Sequence, residues 1–118
     1  MRTIRLFVIV VFSFFLIACA TNQINHHQLS FLNKNMPRDE VIRRFERTPA
    51  ASGEVNTKGR NILFDRYAMN NGIQIDWYFL AYESNRLLYW GYASEFRKHG
   101  DPVLNEAIEQ GMFVGMSK

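Results

Sequence analysis

Residues 61–93 read NILFDRYAMNNGIQIDWYFLAYESNRLLYWGYA, and this stretch decides the fold. It contains three runs rich in β-branched and aromatic residues, which strands favour. Asn71-Gly72 separates the first two runs and predicts a two-residue type I′ turn, because both central positions of that turn need a positive φ. Ser84-Asn85 separates the second run from the third. The stretch therefore predicts a meander of three antiparallel strands.

Helical patterns flank this stretch. Before it, Pro37 suits a first helical position and the acidic residues after it suit the positive end of a helix dipole, so we predict a helix of about ten residues that begins at Met36 and ends before Pro49. After it, residues 101–111 begin with Asp-Pro, place apolar side chains at helical spacing and end with glycine, which predicts a second helix. Residues 48–61 show no periodicity and are predicted to form a mobile loop.

These elements predict an α+β domain, with two or three short helices packed on one face of the three-stranded antiparallel meander. If both turns have two residues, strand parity divides the side chains between two faces. The predicted core face contains Ile62, Phe64, Ala68, Ile75, Trp77, Phe79, Ala81, Leu88, Trp90 and Tyr92. The predicted open face contains Leu63, Asp65, Tyr67, Gln74, Asp76, Tyr78, Leu80, Tyr82, Leu87 and Tyr89.

The open face is unusually rich in tyrosine, with Tyr67, Tyr78, Tyr82 and Tyr89 on it. Tyrosine offers large contact area at little entropic cost, so these four side chains are predicted to form a partner-binding patch. The alternative is that the long loop or the N-terminal segment folds over this face. A one-residue change in turn length would also move the third strand's side chains to the other face.

The N-terminus has the layout of a signal peptide. Arg2 and Arg5 precede residues 6–17, an apolar run of 12 residues that only Ser13 interrupts. A helix that crosses the hydrocarbon layer needs about 20 apolar residues, so this run is short for a transmembrane anchor. We therefore expect cleavage after it, or help from a lipid.

The residues that follow resemble the bacterial lipobox, Leu16-Ile17-Ala18-Cys19. The resemblance implies that Cys19 receives diacylglycerol, that the chain is cut before it, and that the new amino group is acylated. Two or three acyl chains hold a protein durably, at about 0.8 kcal/mol per buried methylene, whereas one does not. The alternative is an ordinary secretory signal that happens to contain a cysteine. Ala20, rather than aspartate, resembles the usual signal for sorting to the outer membrane.

The predicted organisation is a signal peptide at 1–18, a lipidated tether at 19–30 and a single domain at 31–118. Cys19 is the only cysteine, so the domain has no intramolecular disulfide and depends on its apolar core. Removal of Arg2 and Arg5 leaves 12 basic against 11 acidic residues. A chain with so balanced a charge lacks the excess of basic residues that nucleic-acid binding favours.

The side chains that could carry chemistry are few, namely His26, His27, His99, Ser52, Ser84, Ser94, Asp65 and Asp76. The His26-His27 pair lies in the predicted tether, where a solvated role is expected rather than metal binding. Asp65 and Asp76 fall on neighbouring strands and could approach each other, although carboxylates there are usually solvated. The sequence has no nucleophile elbow and no glycine-rich phosphate loop. We therefore expect no catalytic residues, no metal, no cofactor and no nucleotide.

Residues 32–42, LNKNMPRDEVI, resemble the entry to the helix of the SmpA/OmlA (BamE-like) family of small outer-membrane lipoproteins. Asn35 stands where that family has glycine, and asparagine tolerates left-handed backbone. The resemblance implies the helix-and-meander fold, shared with β-lactamase-inhibitor-like domains, and a place in the β-barrel assembly machinery.

These observations predict a non-enzymatic lipoprotein on the periplasmic face of the outer membrane, with the inner membrane as the other location. It would act by contact with another envelope protein, as a scaffold or accessory factor in outer-membrane assembly or maintenance. The alternative is an inhibitor, or a lipoprotein that binds a ligand or peptidoglycan.

Overall fold

Short helices and five strands alternate in the computed structural model, which describes residues 23–113. In chain order the elements are β1 (Gln23–Ile24), a 3₁₀ helix (His26–Phe31), α1 (Arg38–Phe45), β2 (Ala51–Thr57), β3 (Arg60–Asn70), β4 (Ile75–Glu83), β5 (Arg86–Gly91), α2 (Ala93–Arg97) and α3 (Pro102–Gly111). The fold class is α+β. None of the helices described here is long and apolar enough to span a bilayer.

The sheet has more strands than the three predicted. β3 pairs antiparallel with β4, and β4 with β5. In addition, β2 pairs antiparallel with β3, and β1 pairs parallel with the end of β3. The result is a mixed five-stranded sheet rather than a three-stranded antiparallel meander.

The predicted mobile loop at 48–61 is wrong, because half of it forms β2 and its last two residues begin β3. The turn between β2 and β3 consists of Lys58 and Gly59, whose φ values of 52° and 77° are both positive, as a type I′ turn requires. Only Val55 and Thr57 of β2 are buried. The strand is therefore held mainly by backbone pairing, which leaves little apolar pattern in the sequence.

The two predicted turns behave differently. Ser84 and Asn85 form the expected two-residue turn, with φ values of 52° and 64°. The connection at Asn71-Gly72 is longer, because Asn70 pairs with Ile75 and residues 71–74 form the loop. The two additional residues leave the parity of β4 unchanged, since side chains alternate with a period of two.

A β-bulge changes the parity of β5. Ala81 pairs with Tyr89 and Tyr82 pairs with Leu87, so Leu88 is an extra residue between the paired positions. Residues after the bulge therefore lie on the face opposite to the one predicted. Tyr89 packs with the predicted core face, and Trp90 and Tyr92 pack on the other.

Both faces of the sheet are covered, so the prediction of helices on a single face is wrong. The first face, called here the tyrosine face, is buried beneath the 3₁₀ helix and α1, and its cluster contains Ile24, Leu32, Met36, Val41, Phe45, Tyr67, Met69, Tyr78, Leu80, Tyr82 and Leu87. The second, called here the phenylalanine face, is buried beneath α2 and α3, and its cluster contains Val55, Ile62, Phe64, Phe79, Ala81, Phe96, Val103, Leu104, Ala107 and Ile108.

The boundary of the domain also differs from the predicted one. Ile24 is 1% exposed and belongs to the core of the tyrosine face. Residues 23–30, predicted to be tether, are therefore part of the fold. Residues 1–22, which include Cys19, lie outside the described part.

The sequence predicts Trp77 in the core and Tyr78 on the open face, and the fold reverses these two positions. Tyr78 is 5% exposed and Trp77 is 44% exposed. Tyr78→Ala should lower the free energy of unfolding by about 3–5 kcal/mol, because it leaves a cavity under the N-terminal layer. Trp77→Ala should cost only about 1–2 kcal/mol. Urea unfolding of both variants beside the parent measures this, and equal losses would contradict the assignment of faces.

Candidate functional site

The predicted tyrosine patch is not an accessible surface. Tyr67, Tyr78 and Tyr82 are 0%, 5% and 1% exposed. Burial raises the pKa of all three phenols above the usual range. Tyr89 lies on the opposite face, where its ring centre is 4.8 Å from that of Phe96. The prediction of a partner site at these four residues is therefore wrong, because the segment that contains the 3₁₀ helix and α1 covers Tyr67, Tyr78 and Tyr82, and the bulge in β5 moves Tyr89 to the phenylalanine face.

A buried ion pair lies within the tyrosine face. Asp65 is fully buried and accepts hydrogen bonds from Arg38 Nε at 2.8 Å and Arg38 Nη2 at 3.0 Å. Ser52 Oγ donates to the same carboxylate at 2.6 Å. The hydrogen bond with Asp65 raises the pKa of Arg38. These contacts join α1, β2 and β3.

The candidate pair of Asp65 and Asp76 does not form. Asp65 pairs with Leu80 and Asp76 with Met69, so the two carboxylates lie at positions four residues apart along β3. Asp65 forms an ion pair with Arg38, whereas Asp76 is exposed. The two aspartates therefore cannot share a proton or a substrate.

The serines and histidines show separate local contacts. Ser52 bonds to Asp65, Ser84 lies in the β4–β5 turn, and Ser94 lies in α2. Both neighbouring histidines are exposed, and His26 Nε2 lies 3.1 Å from the Tyr92 hydroxyl.

His99 Nδ1 accepts from the Asp101 N–H at 2.9 Å, and its ring packs on Tyr89. It thus helps to shape the connection between α2 and α3. Within residues 23–113, no three His, Cys, Asp or Glu side chains come close enough together to hold a metal ion.

One end of the sheet, called here the turn end, is charged and carries the turns at Lys58-Gly59 and Ser84-Asn85. Arg60 donates to Glu83 at 2.7 and 2.8 Å and to Asp101 at 3.0 and 3.3 Å. The hydrogen bond from Arg60 holds the pKa of Glu83 below its usual range. These ion pairs attach the start of α3 to the sheet beside an open cleft of about 530 Å³.

The other end of the sheet, residues 71–77, is called here the hairpin tip, and it carries three exposed apolar side chains among polar ones. Ile73 is 95% exposed, Ile75 is 52% exposed and Trp77 is 44% exposed. The Arg66 guanidinium stacks on the Trp77 ring, 4.0 Å from its centre. β1 lies beside this end, where Asn70 Nδ2 donates to Gln23 Oε1 at 3.3 Å.

Sequence reasoning missed the tip by placing Ile75 and Trp77 in the core. Parity assigned them to the correct face, but α2 and α3 cover that face only over the part that holds Phe64 and Phe79. The available signal was that Ile73, Ile75 and Trp77, which alternate with Gln74 and Asp76, directly follow the Asn71-Gly72 turn. Strand alternation carries no information about where a helical cover ends.

Loss of Arg38 should destabilise the fold more than loss of the whole ion pair. Arg38→Met leaves the Asp65 carboxylate buried with Ser52 as its remaining side-chain partner, and the free energy of unfolding should fall by about 3–5 kcal/mol. Adding Asp65→Asn removes the buried charge and should restore about half of that loss. Urea unfolding of the single and double variants measures both effects. A double variant as unstable as the single one would contradict the argument.

The geometry of residues 23–113 thus offers two distinct surfaces, the charged turn end with its cleft and the apolar hairpin tip. Comparisons of the chain with models of protein families, with curated proteins and with solved structures gave no match. The resemblance of residues 32–42 to the SmpA/OmlA family stays a prediction.

Proposed function

We propose that this chain is a lipoprotein of the bacterial envelope, held in the outer membrane by acyl chains on Cys19. It acts by protein contact, as a scaffold or accessory factor in outer-membrane assembly or maintenance. The observation that carries the proposal is the lipobox at residues 16–19, which ends four residues before β1 begins at Gln23. Cleavage before Cys19 leaves every described core residue in the mature chain.

The charged side chains that form ion pairs within the domain support a role in contact with another protein. Asp65 is engaged with Arg38, and Arg60 with Glu83 and Asp101. Each pair joins elements that are distant in sequence and so contributes to the architecture. Because the tyrosine face is buried, the partner surface is proposed at the turn end instead.

The turn end is also the better placed of the two ends for a periplasmic partner. β3 has eleven residues and spans roughly 35 Å at about 3.3 Å per residue. β1 pairs with the far end of that strand, so Gln23, the first described residue, lies at the opposite end of β3 from the turn end. The turn end is polar and charged, as rims of protein interfaces are.

The accessory role follows the resemblance of residues 32–42 to the SmpA/OmlA family. Asn35 has a φ of 74°, the left-handed conformation that glycine adopts most easily. The local backbone is thus compatible with the family's glycine at this place. Membership of the β-barrel assembly machinery is part of the proposal.

A second candidate function is the binding of a small polar ligand or a peptidoglycan fragment. The cleft at the turn end favours it, since polar and charged residues line much of it, among them Glu54, Arg60, Asn61, Glu83 and Asn85. The geometry favours it less than protein contact. Arg60 and Glu83 are already paired with each other, so a ligand would have to compete with that pair.

Cys19→Ser should abolish lipidation. The parent should incorporate radiolabelled palmitate and appear in the membrane fraction, whereas the variant should take up no label and remain uncleaved or become soluble. The thiol is the acceptor of the lipid, and serine is not. Ser13→Ala, in the apolar run, is the matched control and should be labelled normally. A parent without label, or a labelled Cys19→Ser variant, would sink the lipoprotein proposal.

A photo-crosslinking amino acid at Glu54 should trap a specific envelope protein, because this exposed residue lines the cleft at the turn end. The same amino acid at Gln110, an exposed position on α3, is the matched control and should not trap it. Mass spectrometry of the adducts identifies the partner. Identical adducts at both positions, or none at Glu54, would count against a partner surface at the turn end.

A further inference from the structure

We propose that the hairpin tip enters the interfacial layer of the same bilayer that holds Cys19, giving the domain a second, non-covalent membrane contact. The inference rests on the proposed lipid anchor and extends it. Its occupant is the lipid surface, rather than a second protein.

The first observation is the concentration of exposed apolar side chains. The exposed large apolar residues of the described part are Ile73, Ile75, Trp77 and Phe113, and three of these four lie at the tip. Single exposed apolar side chains are ordinary, but a group of them at one end of a domain marks a contact surface. Tryptophan prefers the boundary between water and hydrocarbon, where its ring is apolar and its N–H can be solvated.

The second observation is the position of the tip relative to the anchor. Gln23 pairs with Ala68 and accepts a hydrogen bond from Asn70, the residue that precedes the tip. Cys19 lies four residues before Gln23, and four residues span at most about 14 Å. Cys19 is therefore held within about 14 Å of Gln23, which pairs near the end of β3 that precedes the tip. The turn end lies a full strand length further along β3.

The third observation is the charge of the tip. Residues 70–77 contain one acidic residue, Asp76, and no basic residue. Asp76 lies on the face of β4 opposite to Ile75 and Trp77 and accepts from Gln74 Nε2 at 3.0 Å. The Arg66 guanidinium stacks on Trp77 from outside this segment, and the exposed side chains proposed to touch the bilayer are apolar, so the contact arises mainly from apolar burial.

Arg66 supports the indole that would enter the bilayer. Its guanidinium stacks on Trp77, while its Nε and Nη1 are buried and find no hydrogen-bond partner among the described residues. Stacking on a cation limits the rotation of the ring. Strand alternation places Trp77 on the same face of β4 as Ile75. The two side chains are thus presented together.

A membrane contact made by three side chains is weak by itself. It becomes effective when an acyl anchor already holds the protein at the bilayer. Because the acyl chains hold the protein at the surface, insertion of the tip becomes an intramolecular step with a high effective concentration. The tip therefore does not recruit the protein to the membrane. It restricts the orientation of a domain that is already attached.

The test uses the full lipidated chain in phosphatidylcholine vesicles, with part of the lipid brominated near the head-group end of the acyl chains. Flotation of the vesicles reports on the anchor, and quenching of tryptophan fluorescence reports on the tip. In the Trp90→Phe variant Trp77 is the remaining tryptophan, and its fluorescence should be quenched. In the Trp77→Phe variant only Trp90 remains, and it should not be quenched.

Ile73→Ser with Ile75→Ser, made in the Trp90→Phe variant, should abolish the quenching without loss of flotation, because both side chains are exposed and do not support the core. Ile73→Leu is the matched control and should keep it. High salt should leave the quenching unchanged, since apolar burial is not screened.

The outcomes separate the two proposals. Flotation without quenching of Trp77 would overturn the inference and leave the anchor standing, whereas loss of flotation would overturn both. Protection of Trp77 from aqueous iodide without quenching by brominated lipid would mean that protein covers the tip. A second copy, a partner or residues 114–118 would then be the occupant, and the inference would be wrong.

Discussion

The buried carboxylate of Asp65 is the constraint on which the rest of the fold depends. A charge that is removed from water must be matched by hydrogen bonds and an opposite charge, or it destabilises the folded state by several kcal/mol. Arg38 supplies two donors from α1 and Ser52 supplies one from β2. The carboxylate is therefore satisfied only when α1 and β2 both lie against β3. One side chain thus links the N-terminal segment to the centre of the sheet.

This link explains why the tyrosine face is core. With α1 fixed over Asp65, Phe45 packs edge-on against Tyr67 at 5.1 Å, and the segment from Ile24 to Phe45 covers the remaining side chains. Tyrosine suits this position because its ring fills volume as phenylalanine does. Its hydroxyl can also reach a polar group, as Tyr67 reaches the Arg47 carbonyl at 3.4 Å. The high aromatic content is thus explained by two packed layers rather than by an open surface.

The sequence predicted the local features and missed those that depend on distant residues. The turn at Ser84-Asn85 was predictable, because two residues decide its geometry, and the parity of β4 survived an error in the length of the preceding loop. β2 was missed because its burial is limited to Val55 and Thr57. The bulge at Leu88 and the cover over the tyrosine face depend on tertiary packing, so alternation within one strand could not predict them. The same limit placed Trp77 in the core.

The two ends of the sheet differ in a way that matters for a protein attached to a bilayer. The ion pairs of Arg60 lie at the turn end with their side chains partly exposed to water, and bringing such charges to a lipid surface would cost desolvation free energy. The end next to Gln23 carries exposed isoleucines, for which water is the less favourable surroundings. In the proposed lipid-anchored protein, residues 19–22 span at most about 14 Å between the anchor and β1, and the domain can lie flat or stand upright. If the apolar end also touches the bilayer, the upright arrangement is favoured and the charged end faces the periplasm, where a protein partner would approach.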